Sequence, residues 1–210
     1  MALFITFEGG EGSGKTFQAR ALHSKLRQTA VPVLLTHEPG GTELGEKISR
    51  LLKWTGEADI SPLGELLLFN ASRAQLIEEV IQPNLQSGKV VICDRYTDST
   101  VSYQSYGRGL DIELVRYIND TATRGIKPDL TVLMDIPVEE GFSRRPKRSR
   151  DRFELEDIAF HERIRKGYLS LADEDPERWL VIDATLSRAR IKNIIWKEVS
   201  QLLKDRGYMK

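Results

Sequence analysis

A doubly wound α/β fold, three layers deep around a five-stranded parallel sheet, is what this sequence predicts, on three observations. Short, nearly continuously apolar runs recur along the chain, as in strands buried on both faces. Longer stretches with helical periodicity stand between them. Gly, Pro, Ser and Asp clusters mark the changes from one to the other. Strand–helix alternation of this kind builds a parallel sheet through right-handed crossovers, with helices on both faces. The 210 residues fit one domain over 1–210, with at most a small mobile insert.

The elements follow in order. Leu3–Phe7 reads as the first strand and runs into a Gly-rich loop, which opens a helix over Lys15–Gln28. Val33–Thr36 is the second strand, followed by Pro39-Gly40-Gly41 and a helix over Glu43–Lys53. A long helix over Leu63–Leu85 ends at Ser87-Gly88, ahead of the third strand, Val90–Cys93. Gly107-Arg108-Gly109 precedes a helix over Ile112–Arg124, and Lys127-Pro128-Asp129 precedes the fourth strand, Leu130–Asp135. A helix over Phe153–Ala172, a turn at Asp175-Pro176, a short strand over Leu180–Ile182 and a helix over Ser187–Lys204 complete the set. The one anomaly in composition is the cationic stretch Arg144–Arg152.

Composition excludes several classes. Lys+Arg and Asp+Glu both number 31, so no net positive field favours nucleic acid. The single cysteine, Cys93, cannot pair within the chain, which suits a reducing compartment, and it reads as core rather than reactive. His23, His37 and His161 stand in no metal-ligand spacing. No apolar run reaches the roughly 20 residues of a membrane span. With a strand starting at Leu3 no leader is expected, and a cytoplasmic protein is.

Gly9-Gly10-Glu11-Gly12-Ser13-Gly14-Lys15-Thr16 satisfies the P-loop pattern G-x-x-x-x-G-K-[ST], in its confirming place between strand and helix. Glycines let the backbone turn successive N–H groups inward around phosphate oxygens. The following helix adds its positive end, Lys15 a full charge at the β- and γ-phosphates, and the Thr16 hydroxyl a ligand for Mg²⁺. A P-loop NTPase fold binding ATP·Mg²⁺ is therefore expected. Asp94 ends the third strand, where ligands sit in such sheets and where a carboxylate holds Mg²⁺ directly or through water. Arg95 follows it, placed to grip an acceptor phosphate. Taken alone, Arg95 is a weak signal; for Asp94 the lesser reading is a strand-ending turn residue or helix cap, and the P-loop puts the metal-binding reading ahead.

Phe7–Thr16, Glu38-Pro39-Gly40-Gly41-Thr42, Leu68–Arg73, Asp94-Arg95-Tyr96 with Tyr103-Gln104, Pro128–Thr131 and Asp151–Glu154 together resemble the bacterial thymidylate kinase family, in the family's order. The resemblance covers most of residues 3–160. It implies a kinase that moves the γ-phosphoryl of ATP onto dTMP, for dTTP and DNA synthesis. It also implies a homodimer, formed through helices of the Leu63–Leu85 type. By the same resemblance Glu11 approaches the acceptor's 3′-hydroxyl, Phe69 stacks on the pyrimidine and Arg73 contacts O4. Phe69 and Arg73, four residues apart on a helix, share one face, although Phe69 by itself would read as core. Arg95 binds the acceptor phosphate, Gln104 faces N3 and O4, Tyr103 crowds the sugar 2′ position, Thr100 keeps a hydroxyl, and Glu38 lies near the metal and phosphate. The Arg144–Arg152 cluster resembles a mobile lid, at about residues 143–153. Family members that carry an arginine in the P-loop have it where Gly12 stands here, so the lid is expected to supply the cation at the transferred phosphoryl. Arg144, Arg145, Lys147, Arg148, Arg150 and Arg152 are the candidates, with Arg148 and Arg152 favoured.

Three positions depart from the family pattern. His37 stands where arginine is usual, Ser105 where glycine is, and Ser49 followed by Arg50 where an arginine normally helps bind the acceptor phosphate. A one-residue step turns a helical side chain by about 100°, so substitution by Arg50 is not assured. Rival readings are a kinase for dUMP or dCMP, a GTPase and a nucleic-acid-binding module. Against a GTPase, the sequence has no Asn-Lys-x-Asp for guanine recognition and no Asp-x-x-Gly after the third strand.

Overall fold

Alternation along the central strand, β1 (Leu3–Glu8), sorts the molecule into layers, because successive side chains point to opposite faces. The computed structural model describes residues 2–54, 59–144 and 151–209. Strands β2 (Val33–His37), β3 (Val90–Asp94), β4 (Leu130–Asp135) and β5 (Trp179–Asp183) join β1 in one parallel sheet, in the order β2-β3-β1-β4-β5. On one face Leu3, Ile5 and Phe7, with Val90, Ile92, Val132 and Met134, pack under α1 (Lys15–Gln28) and α9 (Arg188–Asp205). On the other, Phe4, Val91 and Cys93 meet the end of α3 (Pro62–Leu76) and the turn after it, while Leu133 joins residues of α8 (Ile158–Glu174). The α/β/α sandwich around a five-stranded parallel sheet is thus as the sequence predicts, and so is the burial of Cys93.

Register brings the functional segments to one edge. Phe7 pairs with Asp94 and His37 with Asp94, so β1, β2 and β3 end together. The loops that follow them therefore open side by side over the carboxyl edge of the sheet.

Several elements differ from expectation. The predicted helix over Leu63–Leu85 is α3, a π-helical segment over Ile77–Ile81 and α4 (Gln82–Gln86) in succession. Pro83 lacks an N–H and its ring crowds the carbonyl four residues back, which a regular α-helix cannot accommodate and a widened turn can. The helix expected from Phe153 starts instead at Ile158. Asp157 caps it, accepting from the Phe160 N–H at 2.6 Å, while Asp151 accepts from the N–H groups of Phe153 and Glu154 in a separate turn. Three segments lie beyond the predicted set: α5 (Thr97–Thr100), the π-helical run Val101–Gly107 that continues it, and α7 (Val138–Ser143). Helix α2 (Glu43–Trp54) and α6 (Ile112–Thr123) match closely. No helix among the described residues is long and apolar enough to cross a membrane.

Candidate active site

The loop between β1 and α1 has the backbone that its glycines permit. Gly12 and Gly14 take φ of +69° and +89°, and a Cβ on Gly12 would lie 1.9 Å from the Gly141 carbonyl oxygen of α7. That contact explains why this chain can carry no arginine at position 12. A Cβ on Gly9 would likewise meet the Met134 carbonyl oxygen at 2.5 Å. The Ser13 hydroxyl donates to the Gly10 carbonyl at 2.8 Å and Lys15 Nζ donates to the same oxygen at 2.7 Å. Lys15 is buried, and this burial, with the charge of Arg95, lowers its pKa to about 8 against the pull of Glu11 and Asp94. The Thr16 hydroxyl donates to Asp94 Oδ2. Two hard oxygen donors thus meet at the mouth of the loop, a set that suits Mg²⁺, which needs one or two protein ligands beside phosphates and water. Among the described residues no three His, Cys, Asp or Glu cluster as a metal cage, and Mg²⁺ requires none.

A second cavity adjoins the loop. Phe69, Arg73, Arg95, Thr100, Tyr103 and Gln104 all line it, joined by Phe153. Phe69 and Phe153 face each other with ring centroids 5.7 Å apart. Arg73 is wholly buried among its acceptors. Its Nε and Nη2 donate to Glu38 Oε2 at 2.8 and 2.6 Å, Nη2 also reaches Thr100 at 2.8 Å and the Tyr96 carbonyl at 3.2 Å, and Nη1 donates to Asn119 at 2.7 Å and Asn70 at 3.3 Å. Burial raises the Glu38 pKa against the opposing charge of Arg73. Gln104 donates to Glu65 at 2.7 Å, and its buried Oε1 has no hydrogen-bond partner among the described residues.

Arg95 stands between the two cavities in a left-handed backbone conformation, φ +72°, held by its N–H donating to the Phe7 carbonyl at 2.9 Å. A non-glycine residue there carries strain of about 1–3 kcal/mol, which the surrounding structure must enforce. Its guanidinium donates to Glu11 at 2.6 Å and to Tyr103 Oη at 3.2 Å, and Tyr103 in turn donates to Glu11 at 2.9 Å. Glu8, beneath them, accepts from the Tyr96 N–H at 2.7 Å, Ser99 at 2.5 Å and Tyr168 at 3.2 Å. Burial, with the nearby Asp98 charge, pushes the Glu8 pKa up to about 7.

The structure therefore gathers the phosphate loop, Asp94, Arg95, Glu38, Phe69, Arg73, Thr100, Tyr103 and Gln104 at one edge of the sheet. It does not bring Arg152 to the phosphate loop. That side chain donates to Glu65 at 2.6 Å and to the Leu52 carbonyl at 3.1 Å, beside the same carboxylate that holds Gln104. Arg144 is tied to the Ala184 carbonyl and Glu140. Arg148, like Arg145, Lys147 and Arg150, lies outside the described residues, and so does most of the expected lid. Ser49 is buried and Arg50 exposed. His37 contacts Glu46 at 3.1 Å, which also accepts from the Gly41 N–H. Residues that sequence reasoning missed include Glu8, Ser99, Phe153, Asp151 and Lys53. Glu8 gave a signal as a charge ending an apolar strand, and Asp151 and Phe153 stood within the Asp151–Glu154 block without a role of their own.

Comparison with known proteins bears on what this site does. The family model described as thymidylate kinase matches residues 7–195. The chain is 52% identical over 204 residues to a protein of Dehalococcoides mccartyi named thymidylate kinase, covering 97% of this chain and 99% of that one. A thymidylate kinase of Deinococcus radiodurans is 46% identical over 200 residues, 95% of this chain and 97% of its own. The crystal structure of thymidylate kinase from Ehrlichia chaffeensis superposes with a TM-score of 0.73 at 37% identity, covering 86% of this chain and 92% of that one.

Proposed function

The chain belongs to the thymidylate kinase family, and we propose that its two adjoining cavities hold the two substrates of that reaction end to end. The enzyme phosphorylates dTMP to dTDP with ATP as donor, a step in dTTP biosynthesis. The observation that carries the site assignment is the shared wall. The Phe69–Gln104 cavity and the phosphate-loop cleft are both lined by Glu11 and Arg95, so a nucleotide in each would meet phosphate to phosphate.

In this reading the loop amides and Lys15 hold the β- and γ-phosphates of ATP. Thr16 and Asp94 would hold Mg²⁺, which when bound neutralises phosphate charge. The dTMP base lies on Phe69, with the unpartnered Gln104 Oε1 accepting from its N3–H and its amide already oriented by Glu65. Arg73 reads O4, sharing or giving up one of its longer bonds, such as that to Asn70. Cytosine would present a donor there, which a guanidinium disfavours. Thr100 sits beside Arg73, Tyr103 stands against the sugar at C2′, and Glu11 takes the 3′-hydroxyl. Arg95 aligns the acceptor phosphate. No general base is required, because that phosphate is already anionic, and catalysis is positioning plus charge neutralisation. Residues of the expected lid, Arg148 foremost, supply further positive charge at the moving phosphoryl.

Exposed Leu44 and Leu51 on α2, with Leu63 and Leu67 on α3, support a homodimer built on these helices. A cytoplasmic enzyme accords with the single buried cysteine. A coupled assay of ADP release tests the function: dTMP should outpace dUMP and dCMP, ATP should outpace GTP, and turnover should stop when Mg²⁺ is chelated. Better use of another acceptor, or metal-independent turnover, would overturn the reading.

A further inference from the structure

The residues common to both cavities define the seam where donor and acceptor phosphates would face each other. They are Glu11, Glu38, Pro39, Lys53, Arg95 and Asp151. Two of them are cations. Arg95 is committed to Glu11 and Tyr103. Lys53 has no side-chain hydrogen bond or ion pair with any described residue, although its charge is felt by Glu46 on the same helix.

Its backbone, by contrast, is fixed. Leu52 is fully buried and anchors the end of α2. The carbonyls of Leu52 and Lys53 accept from the Arg152 side chain at 3.1 Å and the Arg152 N–H at 3.3 Å. Ser49, one turn earlier on the same helix face, is buried, whereas Arg50 is exposed and lines neither cavity. The cation that α2 presents to the seam is therefore Lys53 and not the arginine beside Ser49. A half-buried lysine, held at its root and without an anion of its own among the described residues, lines the seam together with three carboxylates in a cleft built for anions.

We propose that Lys53 is a further substrate-contacting residue of the transfer reaction, its ammonium binding the acceptor's phosphate where that phosphate abuts the γ-phosphoryl group. The proposal rests on the placement of the two nucleotides given above. An ammonium suits this position because its three rotatable donors can follow phosphate oxygens as they move from donor to acceptor. A lysine that merely solvates the end of α2 would have no preference between a nucleotide and its nucleoside.

That difference is the test. Affinities for dTMP and for thymidine are measured by calorimetry on the wild type, Lys53→Met and Lys53→Arg, alongside steady-state kinetics. Loss of one charge-assisted contact should weaken dTMP by about ten-fold in Lys53→Met. Thymidine binding should stay within about two-fold, which also reports an intact base pocket. Lys53→Arg should restore most of the dTMP affinity. Unchanged dTMP affinity in Lys53→Met, or an equal loss for thymidine, would overturn the proposal. A wild type that fails to phosphorylate dTMP would overturn the placement of the nucleotides as well. Wild-type turnover with an indifferent Lys53→Met overturns the role of Lys53 alone.

Discussion

Replacing Arg73 with methionine should damage the fold as well as base reading, and the damage should depend on pH. Arg73 and Glu38 form an ion pair with side-chain exposures of 1% and 3%. Both bonds to Glu38 end on Oε2, and Oε1 has no partner among the described residues. Arg73→Met therefore strands a carboxylate with neither oxygen satisfied. Breaking a buried pair from one side costs about 3–5 kcal/mol. In a chain of this length that lowers Tm by about 6–20 °C.

The sign with pH follows from linkage. Burial already raises the Glu38 pKa, and Arg73 is what opposes it. Without Arg73 the folded-state pKa rises further above its unfolded value. The native state then binds the extra proton, and the destabilisation, full above the folded pKa, fades as pH falls toward the unfolded one. Thermal unfolding of wild type and variant at pH 8 and pH 5 should show the larger gap at pH 8. Adding Glu38→Gln to Arg73→Met should recover much of the loss at pH 8 and little at pH 5. A gap of under about 2 °C at both pH values, or a larger gap at pH 5, would refute the account of the pair.

Three further outcomes concern the phosphate loop. Lys15→Ala should abolish turnover yet leave Tm at or above the wild-type value, since an amine whose pKa burial depresses to about 8 is charged at neutral pH at a cost to the folded state, which the substitution removes. In the wild type, phosphates favour the charged amine, so ATP binding takes up a proton above pH 8 and affinity should fall by up to about ten-fold per pH unit there. Titrations of ATP from pH 7 to 9 check this, and a flat profile would count against it. Gly141→Ala places a Cβ 2.3 Å from the Glu11 carbonyl oxygen. It should push the loop outward and raise KM for ATP more than it weakens dTMP, as parallel kinetics with each substrate varied will read.

What the sequence made visible has a common physical basis. The strands announce themselves because both of their faces are buried, so their apolar runs are continuous, and the loop announces itself because phosphate binding demands glycine and lysine at fixed spacing. The helical run from Thr97 to Gly107 has no such mark. Its polar and β-branched residues are poor helix formers, and Ser102, Gln104 and Ser105 are buried by packing against α8 and α3 rather than by their own character. The approach of Gly12 to Gly141 joins residues far apart in the chain, and nothing local encodes it. The placement of the cations at either end of the basic stretch is hidden for a related reason. Arg144 to Arg152 form a cluster in sequence, but Arg144 and Arg152 go to different carboxylates. Lys53, isolated in sequence at the end of a helix, reaches the seam.

The carboxylates at this edge explain why a site for anions is so rich in acids. Glu38 holds Arg73, Glu11 holds Arg95 and Tyr103, and Glu8 holds the Tyr96 N–H with Ser99 and Tyr168. Buried pairs of this kind add little net stability. Their effect is to fix guanidinium and hydroxyl groups before substrate arrives, so that little reorganisation is left for the transfer itself. All three acids follow or end β1 and β2, and most of the groups beyond β3 that they hold, Arg95, Tyr96, Ser99 and Tyr103 but not Tyr168 of α8, share one stretch of chain. The strained φ of Arg95 is sustained by the same contacts. An incoming acceptor phosphate must then compete with Glu11 for Arg95, while Lys53 has no anion among the described residues to give up, and the two cations of the seam divide the work between orientation and attraction.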